Sequence, residues 1–360
     1  MTSSAAPLRA LVPGPAATAA DAAAPVRLQT VGEGSREGAS RGTARIAVVI
    51  PIFNDWNCAR KLLPLLDGAL AGTRGEICVL FVDDGSGTPA PADLVAAPPG
   101  SIREVRVLRL RQNLGHQRAI ALGLYWVNQR LPADATIVMD GDGEDSPDSI
   151  PALLKALDDS GGREAVFAAR AKRLEKPVFR FFYQVYRLVH RVLTGIPVKI
   201  GNFSVIPKSS ADRLMVSSDL WNHYAAAVVR SKLPLRSIPI PRARRLDGSS
   251  RMNFFGLVTH GISAISVYSD TVGVRLLVAA TGFLLLSIAL AAGVLYATFA
   301  IPQIVPQWVR LPAGLLAVMC LQATMLSLVL VLPVIGARSH AGFIPLRDSE
   351  YYILEQTRIW

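Results

Sequence analysis

Five carboxylates, Asp140, Asp142, Glu144, Asp145 and Asp148, fall within nine residues of the stretch VMDGDGEDSPDSI (138–150), in a chain of 360 residues with a formal net charge of +11. They follow the apolar run ATIVM and precede a segment with helical spacing. Carboxylates two residues apart at the end of a buried strand can point into one cleft. Hard cations such as Mg²⁺ and Mn²⁺ take oxygen ligands and hold substrate phosphates at the same time. Asp140-Gly-Asp142 thus has the makings of a grip on a metal and a diphosphate, with the cation stabilising charge on a departing group. Gly141 and Gly143 let backbone and ligand approach closely. The plain alternative is a solvated acidic turn that caps the next helix, with Asp148 near its N-terminus.

A basic counterpart lies a hundred residues on. RRLDGSSRM (244–252) carries Arg245, Gly248, Ser250 and Arg251. A guanidinium forms bidentate, charge-assisted bonds to phosphate. A solvated basic loop is the bland reading, but the position downstream of the acidic loop and just before an apolar segment favours a phosphate clamp. The other candidate ligands are scattered. His190, His223, His260 and His340 show no ligand spacing, and Cys58, Cys78 and Cys320 form no CxxC pair. Neither a disulfide framework nor a zinc site is expected.

The elements that must position these groups read as alternating strands and helices. IAVVIPIFN, EICVLFVDDGS, VRVLRL, ATIVMD and AVFAAR read as strands; Ala59–Leu70, QRAIALGLYWVNQ and DSIPALLKAL read as helices. This alternation predicts a parallel sheet of βαβ units, whose ligands bind beyond the carboxyl ends of the strands. Three of those ends carry acids or amides: Asn54-Asp55, Asp83-Asp84 and Asp140-Asp142. Residues 1–44, rich in Ala, Gly, Pro, Ser and Thr, predict a disordered tail without a secretory signal. The α/β domain is expected at 45–250.

Two uncharged runs follow, Leu276–Ile301 of 26 residues and Leu311–Ala337 of 27. Each exceeds the roughly 20 residues needed to span a bilayer. They predict a two-helix transmembrane hairpin over 271–340, preceded by a juxtamembrane amphipathic helix over 251–270. Phe254, Val258, Ile262 and Ile265 would share the apolar face of that helix. Lys and Arg crowd the side before the first run, and Arg338 and Arg347 follow the second, against Arg310 in the connector. The positive-inside rule then makes the chain a multi-pass protein of the inner (cytoplasmic) membrane, with its soluble domain and a tail over 341–360 in the cytoplasm. Between 163 and 199, nine Lys or Arg stand against two acids. FRFFYQVYRLVHRVL within that span reads as an amphipathic helix, packed on the sheet or lying on anionic lipid with Phe182, Tyr186 and Val189 inward. No nucleic-acid-binding motif accompanies the charge, so no nucleic-acid partner is expected.

Taken together, VVIPIFND, FVDDGS, RQNLGHQRAIALGL, VMDGDGEDSPDSI and RRLDGSSRM, followed by the apolar pair, resemble glycosyltransferase family 2. Within it they are most similar to the polyprenyl-phosphate glycosyltransferases of the bactoprenol glucosyltransferase and dolichyl-phosphate mannose synthase type. The likeness covers residues 46 to about 340. It implies a GT-A fold, Rossmann-like with a mostly parallel sheet and flanking helices, and a divalent metal, Mg²⁺ or Mn²⁺. The resemblance implies donor binding by Pro51, Phe53, Asn54 and Asp55, where the family has glutamate in place of Asp55. Asp83 and Asp84 would meet uracil or ribose, and Gly115 and His116 belong to a loop similar to the family's nucleotide-proximal loop. Asp140 would contact the nucleotide, and Asp142 and Glu144 the metal, Glu144 standing where glutamine is usual. Arg245, Ser250 and Arg251 would hold the acceptor phosphate, so the implied catalytic set is Asp140, Asp142, Arg245, Ser250 and Arg251. GNFSVIP is similar to a strand lining the acceptor side, with Asn202 at a position often acidic.

The implied activity is inverting transfer of one sugar from a nucleotide-sugar, a UDP-sugar, to polyprenyl (undecaprenyl) phosphate. A phosphomonoester is largely dianionic at neutral pH, so it can attack without a strong protein base. The alternatives are a membrane-anchored family 2 transferase acting on another lipid or a polysaccharide, and a degenerate lipid- or nucleotide-binding module. The retained Asp140, Asp142 and Arg245 argue against the last. Relatives include homo-oligomers, although no coiled-coil heptad supports one here. QTRIW at 356–360 has the wrong spacing for the QxxRW of processive synthases.

Overall fold

The computed structural model describes residues 44–131, 133–170, 177–196, 200–248, 254–300, 307–336 and 342–360. The tail expected at 1–44 therefore lies, through residue 43, outside the described residues, as do Ser250 and Arg251. Eight strands form one sheet in the order β7-β5-β6-β4-β1-β2-β3-β8. They are β1 (Arg45–Ile52), β2 (Glu76–Asp83), β3 (Ile102–Leu110), β4 (Ala135–Val138), β5 (Ala165–Arg170), β6 (Ser204–Pro207), β7 (Leu235–Ile240) and β8 (Ile353–Arg358). β1 pairs in parallel with β2 and β4, and β2 with β3; β5 and β7 are parallel to each other. Only β6 and β8 run against the rest. The mostly parallel α/β sheet that the resemblance implies is therefore present.

The central strands are apolar along their whole length because helices cover both faces of the sheet. On one face Val48, Ile50, Val79 and Phe81 pack with Leu62 and Leu66 of α1 (Trp56–Leu70) and with Leu153 and Leu157 of α3 (Ile150–Asp159). On the other, Val49, Leu80 and Val82 pack with Leu122 and Trp126 of α2 (His116–Arg130). A Cβ on Gly123 of α2 would lie 2.5 Å from Val49 Cγ1 and 2.7 Å from Val82 Cγ2, so this glycine lets the helix settle closely onto the sheet. β1 is the point where the winding reverses: β2 and β3 follow on one side and β4 on the other. In open α/β sheets a crevice opens beyond the carboxyl ends of the strands at such a point. Asn54-Asp55 and Asp140-Asp142 follow the two strands that flank it.

The domain does not end at residue 250. Residues 353–358, within the tail expected over 341–360, return as β8 and pair antiparallel with β3, Val107 opposite Thr357 and Leu108 opposite Gln356. Phe343 stacks on Trp221 with ring centroids 3.7 Å apart, and Tyr352 lies 5.0 Å from the same ring. β3 would otherwise present an unpaired edge, and the segment after the long helices satisfies it.

After β7 come α7 (Phe254–Ser266), α8 (Ser269–Ala300) and α9 (Gln307–Gly336). α7 ends at Ser266, short of the residue 270 expected, residues 251–253 lie outside the described residues, and Val258 and Ile262 on it are exposed. α8 begins before residue 271 and is tied to the domain there. Arg230 of α6 (Tyr224–Arg230) bonds Asp270 and Asp219, at 3.1 and 3.0 Å, and Tyr268 donates to Ala226 O. Arg275 donates to Val192 O and Leu193 O in α4 (Pro177–Thr194), at 2.9 and 3.2 Å. α9 runs back along α8, with Val331 against Gly273 and Cys320 Sγ 3.2 Å from Ser287 Oγ. Among the described residues α8 is the helix long and apolar enough to cross a membrane, and only 6% of its apolar window is buried. The apolar surface of this helix is thus not covered by the rest of the described chain. The apolar stretch of α9, Gly314–Val329, is shorter.

Candidate active site

The loop after β1 is locked to the loop after β2. Asn54 adopts φ +52°, donates its N–H to Ser86 Oγ at 2.8 Å and accepts from Gly87 N at 2.8 Å. Asp83 accepts from Ser86 N at 2.8 Å. Asp84 accepts from Leu114 N and Gly115 N at 2.8 and 2.9 Å, which fixes the entry to α2. Burial pushes the Asp84 carboxyl above the ordinary range, against the pull of those two N–H groups. Asp83 and Asp84 are both buried and serve here to shape loops.

The acidic loop is a tight turn closed from within. Asp145 is buried and accepts from Asp140 N at 3.0 Å, and Asp142 Oδ1 accepts from Glu144 N at 2.9 Å. The basic loop lies alongside: Leu246 N donates to Asp142 O at 2.9 Å and Ala243 N to Glu144 O at 3.0 Å. Gly143 allows this contact. It sits at φ +82°, and a Cβ there would lie 2.4 Å from Leu246 Cγ. Gly143→Ala should therefore push the two loops apart and cost about 1–2 kcal/mol from the left-handed backbone alone. Thermal unfolding beside a donor-binding titration checks this, with a larger loss expected in binding than in melting temperature.

The side chains of the two loops meet across the cleft. Arg245 Nη1 lies 3.1 Å from Asp142 Oδ2, Nη2 bonds Asp55 Oδ2, and Nε donates to Asp247 O at 2.8 Å. Arg242 pairs with Glu144. Each of the two carboxylates expected to hold metal thus has a guanidinium counter-ion. A cleft of about 460 Å³ opens beside Arg245, lined by Asn54, Asp55, Trp56, Thr88, Asp247 and Gly248 among others. Burial, with Asp140 and Asp55 nearby, pushes the Asp142 carboxyl up to about 6, although Arg245 and His116 pull it down. On the far side of the acidic loop His116 Nε2 lies 3.0 Å from Asp140 Oδ1 and 3.1 Å from Asn202 Nδ2. Crowding disfavours the imidazolium, but Asp140, Asp145 and Asp84 outweigh it and the pKa of His116 lies above the usual histidine value.

The donor chemistry of this loop fits a divalent cation. Asp142 and Glu144 supply hard oxygens, and a positive charge already stands at each. Among the described residues no group of three or more His, Cys, Asp or Glu is gathered at ligand distance. An Mg²⁺-type nucleotide site asks for less, since one or two carboxylates plus substrate phosphates complete the shell.

The family model for glycosyl transferase family 2 matches residues 47–215, from β1 past the acidic loop. These residues form a glycosyltransferase family 2 domain. The glycosyltransferase is 22% identical over 321 residues to the uncharacterized glycosyltransferase YkcC of Bacillus subtilis, covering 86% of this chain and 93% of the relative. It is 25% identical over 266 residues to undecaprenyl-phosphate 4-deoxy-4-formamido-L-arabinose transferase of Klebsiella pneumoniae, covering 69% and 78%. Among solved structures it aligns with glucosyl-3-phosphoglycerate synthase of Mycobacterium tuberculosis in complex with Mn²⁺, UDP-glucose and phosphoglyceric acid. That alignment has 16% identity, 64% of this chain, 80% of that one and a TM-score of 0.46.

The family match ends before the basic loop, so Arg242 and Arg245 of this glycosyltransferase lie outside it. Of the residues singled out in the sequence, Asn54, Asp55 and Arg245 line one cleft, Asp142 bonds Arg245, and His116 meets Asp140. Pro51 is buried within β1, and Phe53 is exposed. Reading the sequence missed Arg242, Gln117 and the lining residues Trp56, Thr88 and Asp247. Arg242, Asp247 and Gln117 had a signal, since they lie in or beside the basic stretch and the RQNLGHQRAIALGL motif; Trp56 and Thr88 had none.

Proposed function

We propose that this glycosyltransferase moves one sugar from a nucleotide-sugar, UDP-linked by the family resemblance, to the phosphate of a polyprenyl lipid with inversion at the anomeric carbon. The observation that carries the reading is Arg245, a guanidinium fork bonded to Asp55 and Asp142 in a cleft at the switch point of the sheet. A name among the relatives, undecaprenyl-phosphate 4-deoxy-4-formamido-L-arabinose transferase, supports the acceptor class.

In this reading Asn54 and Asp55 line the donor pocket, and Asp140 and His116 face the nucleotide side. Asp142 and Glu144 would hold a divalent cation, which supplies positive charge to the diphosphate as it leaves. Arg245 then orients the acceptor phosphate, whose dianion attacks without a protein base. The work of the chain is positioning and charge complementarity. Purified full-length protein, incubated with undecaprenyl phosphate and a panel of labelled UDP-sugars, should give one organic-extractable, mild-acid-labile product. No extractable label from any donor overturns the acceptor class.

We also infer that α8 and α9 form a membrane hairpin with the catalytic domain on the cytoplasmic face. The chain leaves the domain at Ser269 and rejoins its sheet at β8, so the two helices begin and end on one side. Phe283, Leu285, Phe299 and Leu311 are more than half exposed, as lipid-facing side chains are. A reporter fused after Trp360 should read cytoplasmic, and one inserted at 302–306 should read on the opposite side. A cytoplasmic reading at both places would put the helices on the membrane surface.

A further inference from the structure

The acidic and basic loops run side by side in opposite directions, Leu246 N donating to Asp142 O and Ala243 N to Glu144 O, at 2.9 and 3.0 Å. That register sets one guanidinium against each carboxylate expected to hold the cation: Arg245 bonds Asp142, and Arg242 bonds Glu144. The two arginines are not held alike. Arg245 has Asp55 and Asp247 O as further partners. Among the described residues Arg242 has Glu144 alone. All four side chains are mostly covered, with between 17% and 28% of their surface exposed, so water replaces a lost partner poorly.

Glu144 cannot hold Arg242 and a divalent cation together at full strength. A guanidinium and a cation drawn to one carboxylate repel each other, strongly so where water is largely excluded. When Asp142 turns to the cation, Arg245 still rests on Asp55 and on Asp247 O. When Glu144 does so, Arg242 becomes a partly buried charge without its counter-ion, a costly state that calls for another anion. Asp145 lines a small cavity with Arg242 and Glu144, but it is buried and accepts from Asp140 N at 3.0 Å. In the reaction read above, the diphosphate has the cation. The second anion is the acceptor phosphate, a dianion at neutral pH with oxygens enough for two guanidinium groups. Arg242 stands three residues from Arg245 in the same loop.

We propose that Arg242 is a second acceptor-phosphate residue, held on Glu144 until a divalent cation takes that carboxylate, so that the lipid phosphate is bound after cation and nucleotide. This rests on the acceptor reading of Arg245 above. A glutamine at position 144 would hold Arg242 only weakly, because the bond would lose its charge. The glutamate of this chain therefore keeps the second guanidinium away from phosphate while the grip is without its cation.

The test is calorimetric titration of geranyl phosphate, a short soluble polyprenyl phosphate, into the full chain in detergent micelles, with and without Mn²⁺ and UDP. The wild type should bind it on the order of 10-fold tighter with Mn²⁺ and UDP present, the worth of one charge-assisted contact. Without them, Glu144→Gln should already bind it roughly 5-fold or more tighter than the wild type does. Arg242→Met keeps the stem and removes the charge; in it the gain from Mn²⁺ and UDP should shrink, and adding Glu144→Gln should bring no gain. An equal gain from Glu144→Gln with and without Arg242 would mean that the carboxylate acts by its charge alone, and overturns the proposal. Wild-type affinity that does not respond to Mn²⁺ and UDP overturns it as well. If melting curves show that Arg242→Met does not fold, Arg242→Lys carries the test: a point charge cannot form the fork, so an undiminished gain in that variant overturns the role of Arg242. Binding of Mn²⁺ and UDP with no binding of geranyl phosphate under any condition overturns the acceptor reading and this proposal together, whereas binding without the coupling overturns this proposal alone.

Discussion

Asp142→Asn should lower sugar transfer by about 10²- to 10³-fold while raising the stability of the donor-free protein at pH 8. The two effects share one cause. Asp142 stands in a cleft with Asp55 and Asp140 near it, and its carboxyl is pushed up to about 6 from an ordinary value of 3.8. The folded chain therefore holds a proton that the unfolded chain has already released. Stability from this group is complete below about 3.8 and is lost as the pH rises through about 6. Asparagine has no charge to bury, and the gain at pH 8 should be about 1–2 kcal/mol once its weaker bond to Arg245 is counted. The loss of activity has the size seen when one preorganised electrostatic group is removed from a site where charge develops. Thermal unfolding in EDTA at pH 8 and near pH 4, beside a transfer assay, separates the two. Near-normal turnover would remove Asp142 from the machinery. An equal shift in melting temperature at both pH values would mean that the carboxylate charge is not the cause.

Arg245→Ala should reduce transfer roughly 10- to 150-fold, the range for one lost charge-assisted phosphate contact, with the loss showing in the dependence on lipid concentration. Affinity for nucleotide-sugar with metal should stay near normal. Arg245→Lys should recover only part, because a point charge cannot reproduce the fork. The structure adds a second effect. Arg245 bonds both Asp55 and Asp142, each with about a fifth of its side chain exposed. Its removal leaves two partly buried carboxylates without that counter-ion, a loss of about 1–3 kcal/mol. Mn²⁺ should restore more melting temperature to Arg245→Ala than it adds to the wild type, because added positive charge replaces the missing guanidinium. If donor affinity fell instead and the lipid dependence stayed unchanged, the basic loop would belong to the nucleotide diphosphate and the acceptor site would lie elsewhere.

Much of this protein follows from local pattern. Apolar runs of strand length alternating with helical spacing determine the parallel sheet, because a strand covered on both faces has no polar side to show. Acids and amides directly after those runs mark the crevice, since the end of a buried strand is where its chain emerges. The grouping of Asp140, Asp142, Glu144 and Asp145 and the basic stretch around Arg245 are likewise visible one residue after another. What the tertiary structure alone decided is which of these groups meet. Arg245 bonds Asp55 across 190 residues and Asp142 across 103, and Gln117 reaches Asn202 across 85; no periodicity encodes such pairs. β8 shows the same limit. Its residues ILEQTR are mostly exposed, so they lack the apolar alternation that announces a strand, and they form one because the edge of β3 offers unpaired backbone groups. Local sequence sets what each segment can bury; which distant partner satisfies a charge or an edge depends on the packed chain bringing the two together.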